Sequence, residues 1–189
     1  MIPNQWYAIL PSQAVKPGQV IGVRRLGMDL ALFRSDKGTL GCVVDQCTHR
    51  GAALSKGRVV GGCVRCPFHG IRFDTNGRCT LVPANGRAQV ANLSRFDVQS
   101  LPVREGNGIV YLWYGDPDKR TDDLPFFSSD VDSTWVYSEM EDPWDAHYSR
   151  CIENQLDVVH LPFVHWNTIG RGNKTLVDGP KVELVDGGL

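Results

Sequence analysis

The stretch Cys47-Thr48-His49-Arg50-Gly51 is followed by a second stretch of similar pattern, Cys66-Pro67-Phe68-His69-Gly70. Each stretch offers one thiolate and one imidazole, so the two together supply two sulfur and two nitrogen ligands. This set suits either one tetrahedral zinc ion or a two-iron cluster with a cysteine pair and a histidine pair. Glycine ends each stretch, where a tight loop must bring backbone N–H groups close to a charged centre. These glycines favour the cluster.

The spacing of the four residues carries a resemblance. Cys-x-His, sixteen residues and then Cys-x-x-His-Gly resembles the motif of the Rieske iron–sulfur family. The resemblance implies a [2Fe–2S] cluster in which Cys47 and Cys66 hold one iron and His49 and His69 hold the other. A structural zinc ion is the alternative.

The composition excludes several classes of partner. Of the 189 residues, 42% are hydrophobic and 22% charged, and the formal net charge is −1, which is typical of a globular protein without a nucleic-acid or anionic-membrane partner. No apolar run approaches the roughly 18 residues that span a bilayer. The first residues, from Met1 to Trp6, lack the pattern of an export signal. We therefore expect a cytoplasmic chain with reduced cysteines, of which Cys42, Cys79 and Cys151 are core residues and Cys63 belongs to a strand.

Short apolar segments separated by turn residues predict a mainly β fold. They number about nine and are joined by turns such as Asp36-Lys37-Gly38-Thr39 and Thr75-Asn76-Gly77. The fold class is an antiparallel β-sandwich or barrel, with both ligand stretches in strand connections at one end. The predicted strands are 6–10, 18–26, 28–35, 40–46, 57–65, 71–74, 78–82, 98–104 and 109–114.

A change of composition predicts a second domain. The acidic, proline-bearing segment from Gly115 to Pro125 indicates a boundary, so we expect one domain at 1–115 and another at 116–189. Within the second domain, 134–137 is strand-like and Pro143 to His160 is the predicted helix.

A second group of chemistry-bearing residues lies at the end of that helix. Asn154, Asp157 and His160 are three apart and are predicted to share one helix face, with His165 in the turn that follows Pro162. Two histidines and a carboxylate form the facial triad of non-haem Fe(II) oxygenases. By itself such a histidine pair is more often explained by packing or capping than by metal binding. His147 is expected to be a structural residue.

Together the two groups resemble the catalytic subunit of Rieske non-haem iron oxygenases, and the resemblance extends over the whole chain. It implies that His160 and His165 bind a mononuclear Fe(II) and that Asp157 conducts electrons from the Rieske histidine of a neighbouring subunit, with Asn154 a weaker candidate beside it. It also implies that the second domain is the incomplete start of an α+β helix-grip fold.

The same resemblance implies the chemistry. Electrons from an NAD(P)H-dependent reductase or a ferredoxin would pass through the cluster to the mononuclear iron, where O₂ is activated to hydroxylate or O-demethylate a small aromatic or alicyclic compound. The full-length protein would be a homotrimer of the EC 1.14 class, in the monooxygenase and O-demethylase branch. A Rieske ferredoxin that only carries electrons is the alternative.

One feature departs from the family. The family's third iron ligand is a carboxylate far beyond the second histidine, whereas this chain has 24 residues after His165. Asp178, Glu183 and Asp186 are the acids there, and none occupies the expected place. We therefore expect an N-terminal fragment that lacks this ligand.

The residues around the ligand stretches predict the reduction potential. High-potential Rieske proteins of respiratory chains carry a disulfide between the two loops and a Ser-x-Tyr segment that donates hydrogen bonds to the cluster region. Here Ala52 and Phe68 replace the cysteines, and Ile71-Arg72-Phe73 lacks both hydroxyls. With fewer donors to stabilise the added electron, we predict a midpoint potential of around −150 mV, at the lower end of the general range for such clusters. A redox titration that gives a value above about +100 mV would contradict this reasoning.

Overall fold

Antiparallel strands form three sheets in the first part of the computed structural model. The structure describes residues 1–87, 92–125, 134–136, 138, 140, 142–172, 175–176 and 181–185. The strand order is β1-β10-β9 in the first sheet, β2-β3-β4 in the second and β5-β6-β7-β8 in the third. The strands are β1 Gln5–Pro11, β2 Val20–Arg25, β3 Met28–Arg34, β4 Leu40–Val44, β5 Arg58–Val60, β6 Cys63–Arg65, β7 Arg72–Phe73, β8 Cys79–Leu81, β9 Val103–Gly106 and β10 Ile109–Tyr114.

The predicted mainly β, antiparallel fold is confirmed. Two strands differ from the prediction. The segment 57–65 is a hairpin rather than one strand, because Gly61 and Gly62 both adopt positive φ (59° and 78°) and turn the chain between β5 and β6. The last-but-one strand begins at Val103 instead of residue 98.

Strand β3 lies at the centre of the packing. Its side chains alternate between two apolar clusters: Leu30 and Leu32 belong to one, and Ala31 and Phe33 to the other. All four are fully buried, so this strand is covered on both faces, as the period of two requires. The cluster around Phe33 also contains Leu54, Val64, Phe73 and the two cysteines of the ligand stretches, Cys47 and Cys66.

The remaining cysteines are all free thiols. Cys42 and Cys79 are buried in the core, as predicted. Cys151 is half-buried on a helix and belongs to neither core cluster, so its assignment as a core residue was wrong. Cys63 lies in β6, where its sulfur accepts a hydrogen bond from Thr80 Oγ1 at 3.5 Å.

The chain divides into two compact units, Met1–Asp130 and Val131–Leu189. The expected boundary between residues 115 and 116 stays a prediction. The described residues of the second unit include two helices, α1 (Tyr148–Leu156) and α2 (Leu161–Val164). The described residues 134–136 form no strand, and Tyr137 lies outside the described part.

The predicted helix from Pro143 to His160 is thus reduced to α1, and α2 begins just beyond its predicted end. His147 precedes α1 as its N-cap, and Asp157 ends it with an extended backbone. Asp157 Oδ1 accepts hydrogen bonds from the backbone N–H groups of Val159 (2.8 Å) and His160 (3.4 Å), which turns the chain before α2. Pro162 lies in the first turn of α2, where its missing N–H costs nothing, instead of breaking a helix.

The apolar side chains of the second unit are exposed. Among the described residues, none after Trp113 is buried, and Trp166, Ile169 and Leu184 expose 68%, 74% and 85% of their surface. No described helix has the length and apolar character that crossing a membrane requires.

Arg34, at the end of β3, ties three parts of the first unit together. Its guanidinium donates to both carboxylate oxygens of Glu105 at 2.6 and 2.7 Å. It also donates to the carbonyls of Val15, Gly38 and Ser12. The Arg34 side chain is 11% exposed. The hydrogen bond from Arg34 lowers the pKa of Glu105, and the same contact raises the pKa of Arg34.

We predict that Arg34→Ala lowers the free energy of unfolding by about 3 kcal/mol, because several charge-assisted hydrogen bonds are lost and Glu105 is left unpaired. The control, Arg24→Ala, removes an exposed ion pair with Asp29 and is expected to cost less than about 1 kcal/mol. Urea denaturation measures both. Equal effects of the two substitutions would contradict the prediction.

The same ion pair predicts a pH dependence. Since the pKa of Glu105 is lowered in the folded protein, its stabilisation is fully present above the ordinary glutamate pKa and is lost as the pH falls through the lower folded value. The difference in unfolding free energy between the native protein and Glu105→Gln should therefore shrink on acidification. A constant difference down to about pH 2 would show that Glu105 is not ionically paired.

Candidate metal centre

The two ligand loops have the same backbone hydrogen bonding. In each, the cysteine carbonyl accepts a hydrogen bond from the glycine four residues later, and the cysteine N–H donates to the carbonyl five residues later. Both glycines have a φ of 72°, a left-handed conformation that favours glycine. The donor–acceptor distances are 2.8 Å for Gly51 to Cys47, 2.9 Å for Cys47 to Ala52, 3.2 Å for Gly70 to Cys66 and 2.8 Å for Cys66 to Ile71.

The cysteines and the histidines of these loops differ in burial. Cys47 and Cys66 are each 2% exposed and belong to the core. His49 and His69 are exposed, and their ring centroids are 4.7 Å apart. The two loops thus bring all four predicted ligand residues to one end of the β scaffold, with thiols inside and imidazoles outside.

Burial and local hydrogen bonds act in opposite directions on the Cys47 thiol. The pKa of Cys47 is raised to about 11, mainly by burial and also by the neighbouring Cys66 thiol, although the backbone N–H groups of His49 and Arg50 donate to the sulfur and act to lower it. A metal must displace the proton of this thiol, so that its binding becomes weaker as the pH falls. The two N–H donors are placed to stabilise a metal-bound anionic sulfur.

The first ligand loop is held in place by hydrogen bonds from residues that are not predicted ligands. Asp45 accepts hydrogen bonds from Ser55 N at 2.7 Å and from Ser55 Oγ at 2.5 Å, which joins the chain on either side of the loop. Thr48 Oγ1 donates to the carbonyl of Phe96 at 2.6 Å. The sequence analysis missed Asp45 and Ser55, because a ten-residue separation is not a recognisable signal. The signal that the sequence did offer is that both residues lie close to the first ligand stretch.

Phe68 does not cover the site. It is 63% exposed, and its ring centroid lies 4.1 Å from that of His69. The ring lies beside the imidazole at the surface.

The donor set fits a [2Fe–2S] cluster of the Rieske type. Two buried sulfurs, two adjacent imidazoles and N–H donors directed at a sulfur are the groups that such a cluster requires. Among the described residues, no three His, Cys, Asp or Glu side chains are grouped to hold a single metal ion. This finding does not bear on a two-iron cluster, where each iron takes only two protein ligands.

In the second unit, His160 and His165 lie at the two ends of α2. Their ring centroids are 5.4 Å apart. The Nδ1 atom of His160 is buried, lies 3.5 Å from Asp157 Oδ2 and makes no hydrogen bond. A buried nitrogen without a hydrogen-bond partner is unusual, and its nearest charged neighbour is the Asp157 carboxylate.

The other predicted residues of this site are arranged differently from the expectation. Asn154 lies within α1, whereas Asp157 follows that helix and His160 precedes α2, so the three do not share one helix face. Glu183 is exposed, and Asp178 and Asp186 lie outside the described residues. His160 therefore lies near both His165 and Asp157, although these three described side chains are not grouped to hold one metal ion. His147 accepts a hydrogen bond from Ser149 N at the start of α1, as expected of a structural residue.

Comparison with known families agrees with this geometry. Residues 5–102 match the Rieske [2Fe–2S] domain family, and residues 144–188 match the vanillate O-demethylase oxygenase C-terminal domain.

Similar proteins are oxygenases. The chain is 34% identical to the oxygenase component of dicamba O-demethylase from Stenotrophomonas maltophilia, over 87% of this chain and 48% of that protein. It is 32% identical to the chloroplastic chlorophyllide a oxygenase of Chlamydomonas reinhardtii, over 89% of this chain and 25% of that protein. The chain thus spans between a quarter and a half of the length of these relatives.

Two solved structures resemble the fold closely. The structure of Pseudomonas putida CBB5 NdmA superimposes with a TM-score of 0.78 at 28% identity, over 92% of this chain and 53% of that one. Dicamba monooxygenase bound to dicamba gives a TM-score of 0.76 at 30% identity, over 88% of this chain and 49% of that one. The chain belongs to the Rieske [2Fe–2S] family and, within it, corresponds to the N-terminal portion of Rieske oxygenase alpha subunits.

Proposed function

We propose that this chain is the electron-accepting portion of the oxygenase component of a Rieske non-haem iron system. The observation that carries the proposal is the presence of two different donor sets in one chain. One comprises the two matched loops with Cys47 and Cys66, and the other comprises His160 and His165 within the segment that matches an oxygenase domain. A protein that only carries electrons through its cluster would not need the second set of donors.

In the first unit, Cys47 and Cys66 hold one iron and His49 and His69 hold the other. The cluster, when bound, supplies a centre that takes up and gives up one electron at a time. Because the two cysteines are buried, water is kept away from their sulfur atoms. The imidazoles of the two histidines are exposed and form the edge of the site that another protein can reach. The hydrogen bonds within each loop keep these residues in place when the charge of the site changes.

In the second unit, His160 and His165 would be two of the ligands of a mononuclear Fe(II). That iron, when bound, supplies the centre for O₂ activation. Asp157 fixes the start of α2 through its contacts with the N–H groups of Val159 and His160, and its second oxygen lies next to His160 Nδ1. This position supports a role for Asp157 in orienting His160 and in passing electrons between subunits of a homotrimer, with Asn154 in α1 a secondary candidate.

The names of the relatives support a proposal for the substrate class. Their names include dicamba O-demethylase, toluene-4-sulfonate monooxygenase and cholesterol 7-desaturase, all of which act on ring compounds. We infer hydroxylation or O-demethylation of a small ring compound, with O₂ as oxidant and an NAD(P)H-dependent reductase or a ferredoxin as electron source.

The iron content of histidine variants tests the proposal. We predict about three iron atoms per chain for the iron-loaded full-length protein and about two for its His160→Ala variant, with an unchanged visible spectrum of the cluster. His147→Ala, which removes a histidine from the other end of α1, serves as the matched control and should retain about three. About two iron atoms per chain in all three proteins would favour the electron carrier.

The support of the first loop can be tested separately. We predict that Asp45→Ala shortens the half-life of the cluster absorbance in the presence of a chelator by at least about tenfold, because residues that hold metal ligands in place typically affect metal affinity by that factor. The control, Asp36→Ala, changes an exposed aspartate in the turn between β3 and β4 and should leave the half-life unchanged. Equal half-lives for both variants would exclude a role of Asp45 in holding the loop.

A further inference from the structure

Positive charge is concentrated in the segment that contains both ligand loops. Residues 46–96 include eight arginines and lysines and one acid, Asp74, whereas the whole chain has a formal net charge of −1. The remaining sequence is therefore strongly acidic. The net charge of the chain, which argued against an anionic partner, conceals this separation.

Three of these cations form a row across neighbouring strands. Arg58 in β5 lies opposite Arg65 in β6, and Arg65 lies opposite Arg72 in β7. Directly opposite residues of antiparallel strands share a sheet face, with Cβ atoms about 5 Å apart, and like charges in such positions repel each other. We call Arg58, Arg65 and Arg72 the arginine row.

The row has no internal counter-charge. Among the residues that the structure describes, no acidic side chain forms an ion pair with any of its three members. The Nε atom of Arg72 is buried and has no hydrogen-bond partner. Other arginines of this unit differ, since Arg34 and Arg24 pair with Glu105 and Asp29. A row of unpaired guanidinium groups favours an external anion.

The row borders the second ligand loop. Arg58 and Arg65, together with Lys56, line a cleft of about 260 Å³ whose other walls are Gly57, Cys66, Pro67 and Gly70. The exposed residues Phe68 and His69 lie on the same loop. An exposed aromatic ring beside positive charges has the composition of a protein-binding surface.

The width of the arginine row favours a protein surface over a small anion as its binding partner. Three adjacent strands span about 10 Å at the usual spacing of 4.8 Å, which is wider than one phosphate or carboxylate group. An acidic protein surface presents several carboxylates over that distance. It would also cover the exposed edge of the cluster site, as the transfer of electrons between proteins requires.

We propose that the arginine row, with Lys56, is the docking site for an acidic surface of the protein that delivers electrons to the cluster. This inference rests on the proposed function, because it presumes that the cluster receives electrons from another protein. The positive field would steer the donor to the loop, and the exposed Phe68 would contact it at the centre of the interface.

Stopped-flow reduction of the cluster-loaded chain by an acidic plant-type ferredoxin tests the inference. We predict that the double variant Arg58→Gln/Arg65→Gln lowers the second-order rate constant about tenfold at roughly 20 mM salt, and that the difference disappears near 500 mM salt. The control is Arg24→Gln, which changes a strand arginine with an acid directly opposite. It should stay within about twofold of the native protein. Equal rate constants for the double variant and the control would overturn the inference.

Two further measurements separate the possible failures. Excess dithionite should reduce the cluster of every variant completely, and melting temperatures should be unchanged or raised in the double variant, since repulsion is relieved. If dithionite reduces the double variant and its rate with ferredoxin is also native, the docking site is wrong and the proposed function stands. If dithionite cannot reduce the native chain, both fail. If inorganic phosphate binds the native chain saturably but leaves the ferredoxin rate unchanged, the row is a small-anion site and the docking proposal is wrong.

Discussion

The pair of hydrogen bonds that closes each ligand loop is the constraint on which the candidate cluster site depends. The same two bonds occur in both loops, from cysteine to the residue five later and from glycine back to cysteine. They place Cys47 and Cys66 at the boundary of the core and leave His49 and His69 outside it. The β scaffold contributes rigidity, because the cluster of Phe33, Leu54, Val64 and Phe73 packs against both cysteines. Loss of either glycine would force a side chain into a left-handed conformation at a φ of 72°.

Local signals in the sequence were sufficient to predict the two ligand loops and most of the strands. Turn residues and the two Cys/His stretches are contiguous, so spacing identifies them without knowledge of the tertiary structure. The helix near residue 150 was predicted too long, because the Asp157 side chain accepts hydrogen bonds from the backbone of Val159 and His160 where the helix ends.

Features that depend on strand pairing could not be predicted. Arg58, Arg65 and Arg72 are seven residues apart in sequence and meet only because of the register of β5, β6 and β7. The register of β5 against β6 is set by the turn at Gly61 and Gly62, which had been assigned to the interior of one strand, and β6 and β7 are joined by the second ligand loop. The contact between Asp45 and Ser55 is equally invisible in the sequence. The chemistry of the ligands was therefore predictable, whereas the groups that support and surround them were not.

The second unit contains only some of the groups that the proposed iron site needs. Two imidazoles approach each other across a four-residue helix, and one of them keeps a buried nitrogen without a hydrogen bond. Exposed apolar side chains such as those of Trp166 and Ile169 follow this helix in the sequence. The chain spans 25% and 48% of the length of two relatives that it matches. The proposed iron site is consequently defined by the positions of His160, His165 and Asp157.

The central claim is that one iron of a [2Fe–2S] cluster is bound by His49 and His69. The most direct test is electron–nuclear double resonance of the dithionite-reduced chain, produced with ¹⁵N-labelled histidine. The account predicts coupling of the cluster spin to the nitrogens of two histidines. A reduced cluster without histidine nitrogen coupling, or a protein that is silent in electron paramagnetic resonance and contains zinc, would contradict it.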